Sequence, residues 1–82
     1  MPEISRFFGI SISMYFQEHN PPHIHVKYNG IKAQLDLITG KFTQGALPVK
    51  QARFVLAWYE IHKDELFQVW ESKEFKKIEP LK

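Results

Sequence analysis

The sequence predicts an α+β fold, a three- to four-stranded antiparallel β-meander with one long C-terminal helix packed on one of its faces. Three observations predict it. Apolar residues alternate with other residues over positions 8–16, an Asn-Gly pair separates two further alternating segments, and positions 49–75 contain neither glycine nor proline. Alternation with a period of two is typical of a half-buried strand, and an unbroken segment with helical periodicity favours a helix. At 82 residues the chain fits a single domain, residues 1–82, with one core.

The first predicted strand covers residues 8–16, and its even-numbered residues are expected to face the core. These residues are Phe8, Ile10, Ile12, Met14 and Phe16. The segment that follows contains two consecutive prolines, which have no amide proton to donate. We therefore expect a stiff loop before the second strand.

The second and third predicted strands, residues 23–28 and 31–37, form a hairpin around Asn29-Gly30. Asn-Gly is the strongest short hairpin signal, because both positions of the turn require a positive φ. A two-residue turn also fixes the register, which pairs Tyr28 with Ile31. Counting outward, the predicted core-face pairs are Val26–Ala33 and Ile24–Leu35, and the predicted polar-face pairs are Lys27–Lys32, His25–Gln34 and His23–Asp36.

A helix is predicted from about Pro48 to Phe75, after a short fourth strand near Phe42. Its main apolar stripe comprises Ala52, Val55, Leu56, Tyr59, Leu66, Val69 and Trp70. A straight helix of this length would measure about 40 Å at about 1.5 Å per residue and would overhang a small sheet. We therefore expect a bend near Lys63-Asp64.

The helix also carries apolar residues away from the main stripe. Phe54 and Ile61 are seven residues apart and line up, and Trp58 lies between the two faces. A helix that is apolar on two sides is usually covered twice. Phe54, Trp58 and Ile61 are therefore a predicted partner interface, for a cognate small protein or for a second copy in a homodimer. The alternative is that Ile78 and Leu81 fold back over this face.

The composition excludes several classes of protein. There is no cysteine, which fits a reducing cytoplasm and excludes a thiolate zinc site. The formal charge of +2 is well short of that of a typical DNA-binding domain. No apolar segment approaches the roughly 20 residues of a membrane span, and Met1-Pro2 does not begin a signal peptide. The glycines are isolated turn residues and form no Gly-rich phosphate-binding loop. Together these features predict a cytoplasmic protein with no membrane partner and no cofactor.

Several segments together resemble a known family. They are Ile4-Ser5-Arg6-Phe7-Phe8-Gly9-Ile10, Met14-Tyr15, His19-Asn20-Pro21-Pro22-His23-Ile24-His25-Val26 and Ile78-Glu79-Pro80-Leu81. The chain is similar over almost its whole length to the small bacterial family catalogued as domain of unknown function four-one-six-zero. The resemblance implies a gene encoded beside another small protein, and so the toxin half of a toxin–antitoxin pair with an antitoxin-like partner. It implies no established reaction and no known site residues.

The alternating residues His23, His25 and Lys27 share one face of the predicted hairpin. Metal-free cleavage of RNA needs a general base, a general acid and cations that hold the phosphate. On this hypothesis the catalytic residues are His23, His25, Asp36 and Tyr15, and Asp36 orients the His23 ring and raises its pKa. The predicted binding residues are Lys27, Lys32, Arg6 and His19.

Two other interpretations of the histidines stay open. His19, His23 and His25 have the spacing of a loop-plus-strand zinc site, with Glu18 as a fourth ligand. The histidines can also be structural, capping loop carbonyls on a wet sheet face. The leading functional hypothesis is a toxin-like protein acting on RNA or another anionic target. The alternatives are a non-catalytic protein-binding or regulatory module and a small three-histidine metal-binding protein.

Overall fold

The structure is a computed structural model that describes residues 3–81. Met1, Pro2 and Lys82 lie outside the described residues, and so does the start of the chain on which the signal-peptide prediction rests. One antiparallel sheet has the order β1-β2-β3-β4-β5 and is followed by a single helix. The elements are β1 Glu3–Phe7, β2 Ile10–Ser13, β3 His23–Tyr28, β4 Ile31–Asp36, β5 Phe42–Gln44 and α1 Val49–Ser72. The predicted α+β class and meander are confirmed, but the sheet has five strands and not three or four.

The extra strand comes from the N-terminal segment, which was predicted to hold one strand over residues 8–16. Phe8 and Gly9 instead form a two-residue turn with φ of 50° and 75°, and they join β1 to β2. The predicted core-facing positions hold for the even-numbered residues Ile10 and Ile12 of β2 and for Met14, which follows the strand, because all three are fully buried. Phe8 is 49% exposed at the turn, so its predicted place in the core is wrong, and Phe16 is only partly buried.

The β3–β4 hairpin has the register that the Asn29-Gly30 turn predicts. Tyr28 pairs with Ile31, and both turn residues have positive φ. The remaining pairs match the predicted ones as far as His23 with Asp36. A one-residue slip would have buried the charged and histidine side chains of β3, at a cost of several kcal/mol.

Strand β5 follows the turn after β4 and pairs with it at Gln34–Gln44 and Leu35–Phe42. Gly45 ends this strand with φ of 69°, and a Cβ atom at that position would lie 2.2 Å from the carbonyl oxygen of Lys32. Only glycine fits there without a backbone shift.

Helix α1 begins after Pro48, whose carbonyl accepts the first helical hydrogen bond from the amide of Ala52. The expected bend is present and lies at His62, where φ and ψ are −109° and 16°. The helix ends three residues earlier than predicted. Lys73 takes a left-handed conformation with φ of 59°, and its amide donates to the carbonyl of Val69.

The apolar face of the sheet and the apolar stripe of α1 enclose one core. Its largest fully buried side chains are Trp58, Tyr59, Ile4, Ile10, Ile12, Met14, Ile24, Leu35, Leu37, Leu66, Val26 and Val55. The C-terminal segment closes this core beside β1, because the amide of Ile78 donates to the carbonyl of Ile4 and the indole of Trp58 donates to the carbonyl of Glu79. The opposite face of the sheet stays uncovered by α1 and carries the polar side chains.

Candidate functional site

The polar face of the sheet is organised in rows that cross the strands. Following the register, Arg6 pairs with Ser11, Ser11 with Lys27, and Lys27 with Lys32. We call these four residues the cationic row. Three of its four members are exposed cations, and no acidic residue lies within the row.

The next row runs Glu3, Ser13, His25, Gln34 and Gln44. Its one carboxylate, Glu3, lies 2.8 Å from the guanidinium of Arg6 and also accepts the hydroxyl proton of Ser11. These hydrogen bonds, first from Arg6 and then from Ser11, lower the pKa of Glu3, although burial acts in the opposite direction. Glu3 is therefore ionised near neutral pH and is neutralised by Arg6.

A concave surface lies between the two rows and encloses a depression with a volume of about 320 Å³. It is lined by Ser11, Ser13, Tyr15, His25, Val26, Lys27, Lys32 and Ala33. Hydroxyls, an imidazole and two ammonium groups thus surround one depression. The predicted alternation and register place the polar strand members of this set, Ser11, Ser13, His25, Lys27 and Lys32, on one face.

The two histidines of β3 converge on a single carboxylate oxygen. The Oε1 atom of Glu18 lies 2.7 Å from Nε2 of His23 and 2.6 Å from Nε2 of His25. The Nδ1 atom of His23 lies 2.9 Å from the carbonyl oxygen of Pro21. We call Glu18, His23 and His25 the His–Glu cluster. It lies where the loop before β3 folds back over the end of the polar face.

Burial and hydrogen bonding act in opposite directions on Glu18. Burial alone would raise the pKa of this carboxyl, but the hydrogen bonds from His25 and His23 outweigh it and lower the pKa below its ordinary value of 4.5. Glu18 is therefore a carboxylate at neutral pH, with 39% of its side chain exposed.

Aromatic side chains hold the two imidazoles in place. The ring of Tyr15 lies edge-on to His25 at 4.5 Å between centroids, and the ring of Trp70 lies 5.3 Å from that of His23. Trp70 is itself fixed by a hydrogen bond from its indole to the amide oxygen of Asn20. Tyr15 thus stands beside the predicted acid–base residue His25.

Asp36 does not take the role predicted for it. It is the strand partner of His23, but its Oδ1 atom accepts the amide protons of Ile38 and Thr39. The carboxylate therefore stabilises the turn after β4, and the group that orients His23 is Glu18. Periodicity could not show this, because it cannot place the side chain of a loop residue such as Glu18.

His19 is exposed and lies outside the convergent group. Among residues 3–81, the His/Asp/Glu group whose ligand atoms converge, all within 4.8 Å of one another, is Glu18, His23 and His25. The predicted three-histidine set is therefore replaced by two histidines and a carboxylate. Glu18 had been expected only as a fourth ligand.

The predicted helix interface divides into two parts. Trp58 is fully buried in the protein's own core and offers no surface to a partner in this conformation. The ring of Phe54 is half-buried and packs 4.7 Å from that of Phe8, whereas Ile61 is 66% exposed. The C-terminal segment contacts Trp58 through the carbonyl of Glu79, Phe8 packs on Phe54, and Ile61 stays exposed.

No helix within residues 3–81 combines the length and the apolar character that a membrane span requires. A family model described as "Domain of unknown function (DUF4160)" matches residues 9–71, more than half of the chain. This match confirms the family resemblance that the sequence motifs indicate. Comparisons with curated proteins and with solved structures found no match.

Proposed function

The chain belongs to the DUF4160 family, and from this premise we propose that it is the toxin-like component of a bacterial toxin–antitoxin pair, which binds RNA or another anionic target through the polar face of its sheet. An antitoxin-like small protein is its proposed partner. The family resemblance supports the pairing with a partner, and the cationic row supports the anionic target.

The observation that carries the proposal is the pairing of Lys27 with Lys32. The two residues lie directly opposite each other on β3 and β4, and both are exposed. Like charges at directly opposed positions destabilise a sheet, typically by some tenths of a kcal/mol. An anion bound between the two ammonium groups would turn this repulsion into attraction. A phosphodiester group of RNA is an anion of this kind.

The groups around this pair suit a phosphate. Ser11 and Ser13 line the same concave surface. Arg6 lies at the far end of the cationic row, where it pairs with Glu3. Lys27 and Lys32 make no ion pair with a carboxylate of residues 3–81, so their charge is available to a ligand. Contacts from such side chains to the phosphates of a nucleic acid bind it without reading its sequence.

His25 lines the same depression as the two lysines. Imidazole is the usual acid–base group near neutral pH, so a phosphodiester bound there would lie beside a group able to move a proton. Binding is the proposal, and cleavage of the bound RNA is the stronger form of it.

The test is expression of the chain in bacteria, alone and together with the product of the neighbouring gene. The proposal expects growth arrest with the chain alone, relief by the partner, and loss of arrest in the Lys27→Ala/Lys32→Ala variant. Lys50→Ala, which removes an exposed charge at the start of α1, is the matched control and should still arrest growth. Normal growth with the wild-type chain at high expression, together with no binding to RNA, would reject the proposal.

A second candidate is a non-catalytic module that binds a protein partner. The exposure of Ile61 on α1 favours it, because a partner that buried this large apolar side chain would gain the free energy of removing it from water. On this account the partner would bind without any change in growth, and Ile61→Asp would weaken the complex.

A further inference from the structure

The geometry points to a divalent metal site in the His–Glu cluster: we infer that Nε2 of His23, Nε2 of His25 and a carboxylate oxygen of Glu18 bind Zn²⁺ or another late divalent metal ion. This inference does not rest on the proposed function. It follows from the donors and acceptors that these three side chains direct at one another.

The contact between His23 and the carbonyl of Pro21 determines where the ring carries its proton. A carbonyl oxygen can only accept, so Nδ1 of His23, which lies 2.9 Å from it, is the donor. A neutral imidazole then has a lone pair on Nε2. That atom faces the Oε1 atom of Glu18 at 2.7 Å, and a carboxylate oxygen is also an acceptor. Two acceptors this close need a positive species between them: in the metal-free chain a proton on Nε2 makes the hydrogen bond to Glu18 described above, and a metal ion bound to Nε2 would take its place.

His25 directs its own Nε2 at the same oxygen, at 2.6 Å. Three ligand atoms of the kinds that zinc prefers therefore converge, all within 4.8 Å of one another. One cation at their centre would satisfy both imidazole lone pairs and the carboxylate at once. A backbone carbonyl that accepts from the other ring nitrogen of His23 is also the usual support of a metal-binding histidine.

The spacing of the three atoms fits a metal after a small adjustment. Ligands at about 2.0–2.1 Å from a tetrahedral zinc ion are about 3.3 Å apart, whereas the two nitrogens lie 2.6–2.7 Å from Oε1. Glu18 can supply the difference of about 0.6 Å, because it belongs to a loop and its side chain is 39% exposed. The two imidazoles pack against Tyr15 and Trp70.

Two histidines and one carboxylate leave the fourth position of a tetrahedral metal open. This donor set is the kind that catalytic zinc sites use, in which the open position takes water or substrate. His25 also lines the depression that contains Lys27 and Lys32. A metal in the cluster would therefore lie at the border of the cationic surface, with an anionic ligand as its natural fourth partner.

The experiment is a titration of the metal-stripped chain with Zn²⁺, and separately with Co²⁺ and Mg²⁺, by calorimetry and by absorption of the cobalt form. We expect about one equivalent of Zn²⁺ or Co²⁺ per chain and no comparable uptake of Mg²⁺, since imidazole ligands favour late metals. Glu18→Gln, His23→Ala and His25→Ala should each lower the affinity for Zn²⁺ at least 100-fold. Removing a residue that only supports a ligand costs about 10–100-fold, and loss of a ligand itself should cost at least as much.

Two variants are matched controls. His19→Ala removes a neighbouring exposed histidine, and His62→Ala removes a histidine that pairs with the single carboxylate of Glu65. Both should keep full affinity. Circular dichroism of each metal-free variant separates loss of a ligand from loss of the fold, and Glu18→Gln is the variant least able to disturb the core. The inference is overturned if the wild-type chain takes up no stoichiometric metal, if the three ligand variants bind as well as the wild type, or if His19→Ala abolishes binding.

Discussion

Lys27 and Lys32 are direct partners in the register of β3 and β4, and both side chains are exposed on the polar face of the sheet. Neither makes an ion pair within residues 3–81. A sheet that served only as a scaffold would gain stability from an opposite charge at either position. The pair therefore costs the fold some stability, which the proposed binding of an anion would offset.

The first prediction follows from this opposition. Lys32→Glu should raise the free energy of unfolding by up to about 1 kcal/mol at low ionic strength, because it replaces a repulsive cross-strand pair by an attractive one. The same variant should lose binding to single-stranded RNA. Urea denaturation at low salt measures the first effect, and most of it should vanish in 1 M salt, where the Debye length is about 3 Å. Lys50→Glu makes the same charge change in the first turn of α1 and should leave RNA binding unchanged. It is a control for binding alone, because a carboxylate in the first turn of a helix adds stability of its own. A variant that is less stable than the wild type would contradict the repulsive pair.

The second prediction concerns the core beneath the site. Leu35 is fully buried and pairs with Ile24 on β3. Leu35→Ala should lower the free energy of unfolding by about 2–5 kcal/mol, through lost burial and the cavity that remains. The control is Ile38→Ala, since Ile38 is 61% exposed and its truncation should change stability by less than about 0.5 kcal/mol. Equal effects of the two substitutions in chemical denaturation would show that the packing described for Leu35 is wrong.

The third prediction is a pH dependence of stability that comes from Glu65. The ammonium of Lys76 lies 2.7 Å from this carboxylate, and Nδ1 of His62 lies 3.1 Å from it. The hydrogen bond from Lys76 lowers the pKa of Glu65 below 4.5; burial opposes this shift, and His62 adds to it. Because the folded-state pKa lies below the unfolded one, the stabilisation is complete above pH 4.5 and is lost as the pH falls through the folded-state pKa.

Glu65→Gln should therefore be less stable than the wild type at pH 7, by at most about 1 kcal/mol for a pair this exposed. The difference should shrink towards zero in acid. Thermal melts between pH 2 and pH 7 measure it, with Glu60→Gln, an exposed position of the same helix, as the control. A difference that stays constant over this range would mean that the ion pair does not stabilise the fold.

The register of the β3–β4 hairpin was predictable to the residue, whereas the β1–β2 hairpin was not. Asn29-Gly30 marks its turn by residue type, and alternation on both sides then fixes the register. Phe8-Gly9 has no such mark, because an apolar residue occupies the first turn position and is largely exposed. In β1 the neighbours Ile4 and Ser5 are both buried next to an irregularity in the register, so this strand breaks the period of two.

The candidate site divides in the same way. The strand residues of the polar face could be placed from the sequence, because a two-residue turn and a period of two leave no freedom. Glu18 and Trp70 could not be placed in the same way. Glu18 lies in a loop, and Trp70 lies near the end of α1, 50 residues along the chain from its hydrogen-bond partner Asn20. The predicted contact of Asp36 with His23 is replaced by a local one. The Asp36 carboxylate accepts the amide protons of the turn after β4.

The salt dependence of RNA binding tests the central claim most directly. Each phosphate contact to a single strand contributes about 0.7 to the slope of log K against log salt concentration. If the cationic row holds the RNA, Lys27→Ala/Lys32→Ala should lower the magnitude of this slope by about 1.4 and weaken binding, while Lys50→Ala leaves both unchanged. If the double variant keeps the wild-type affinity and the wild-type slope, the cationic row does not bind RNA and the proposed function is wrong.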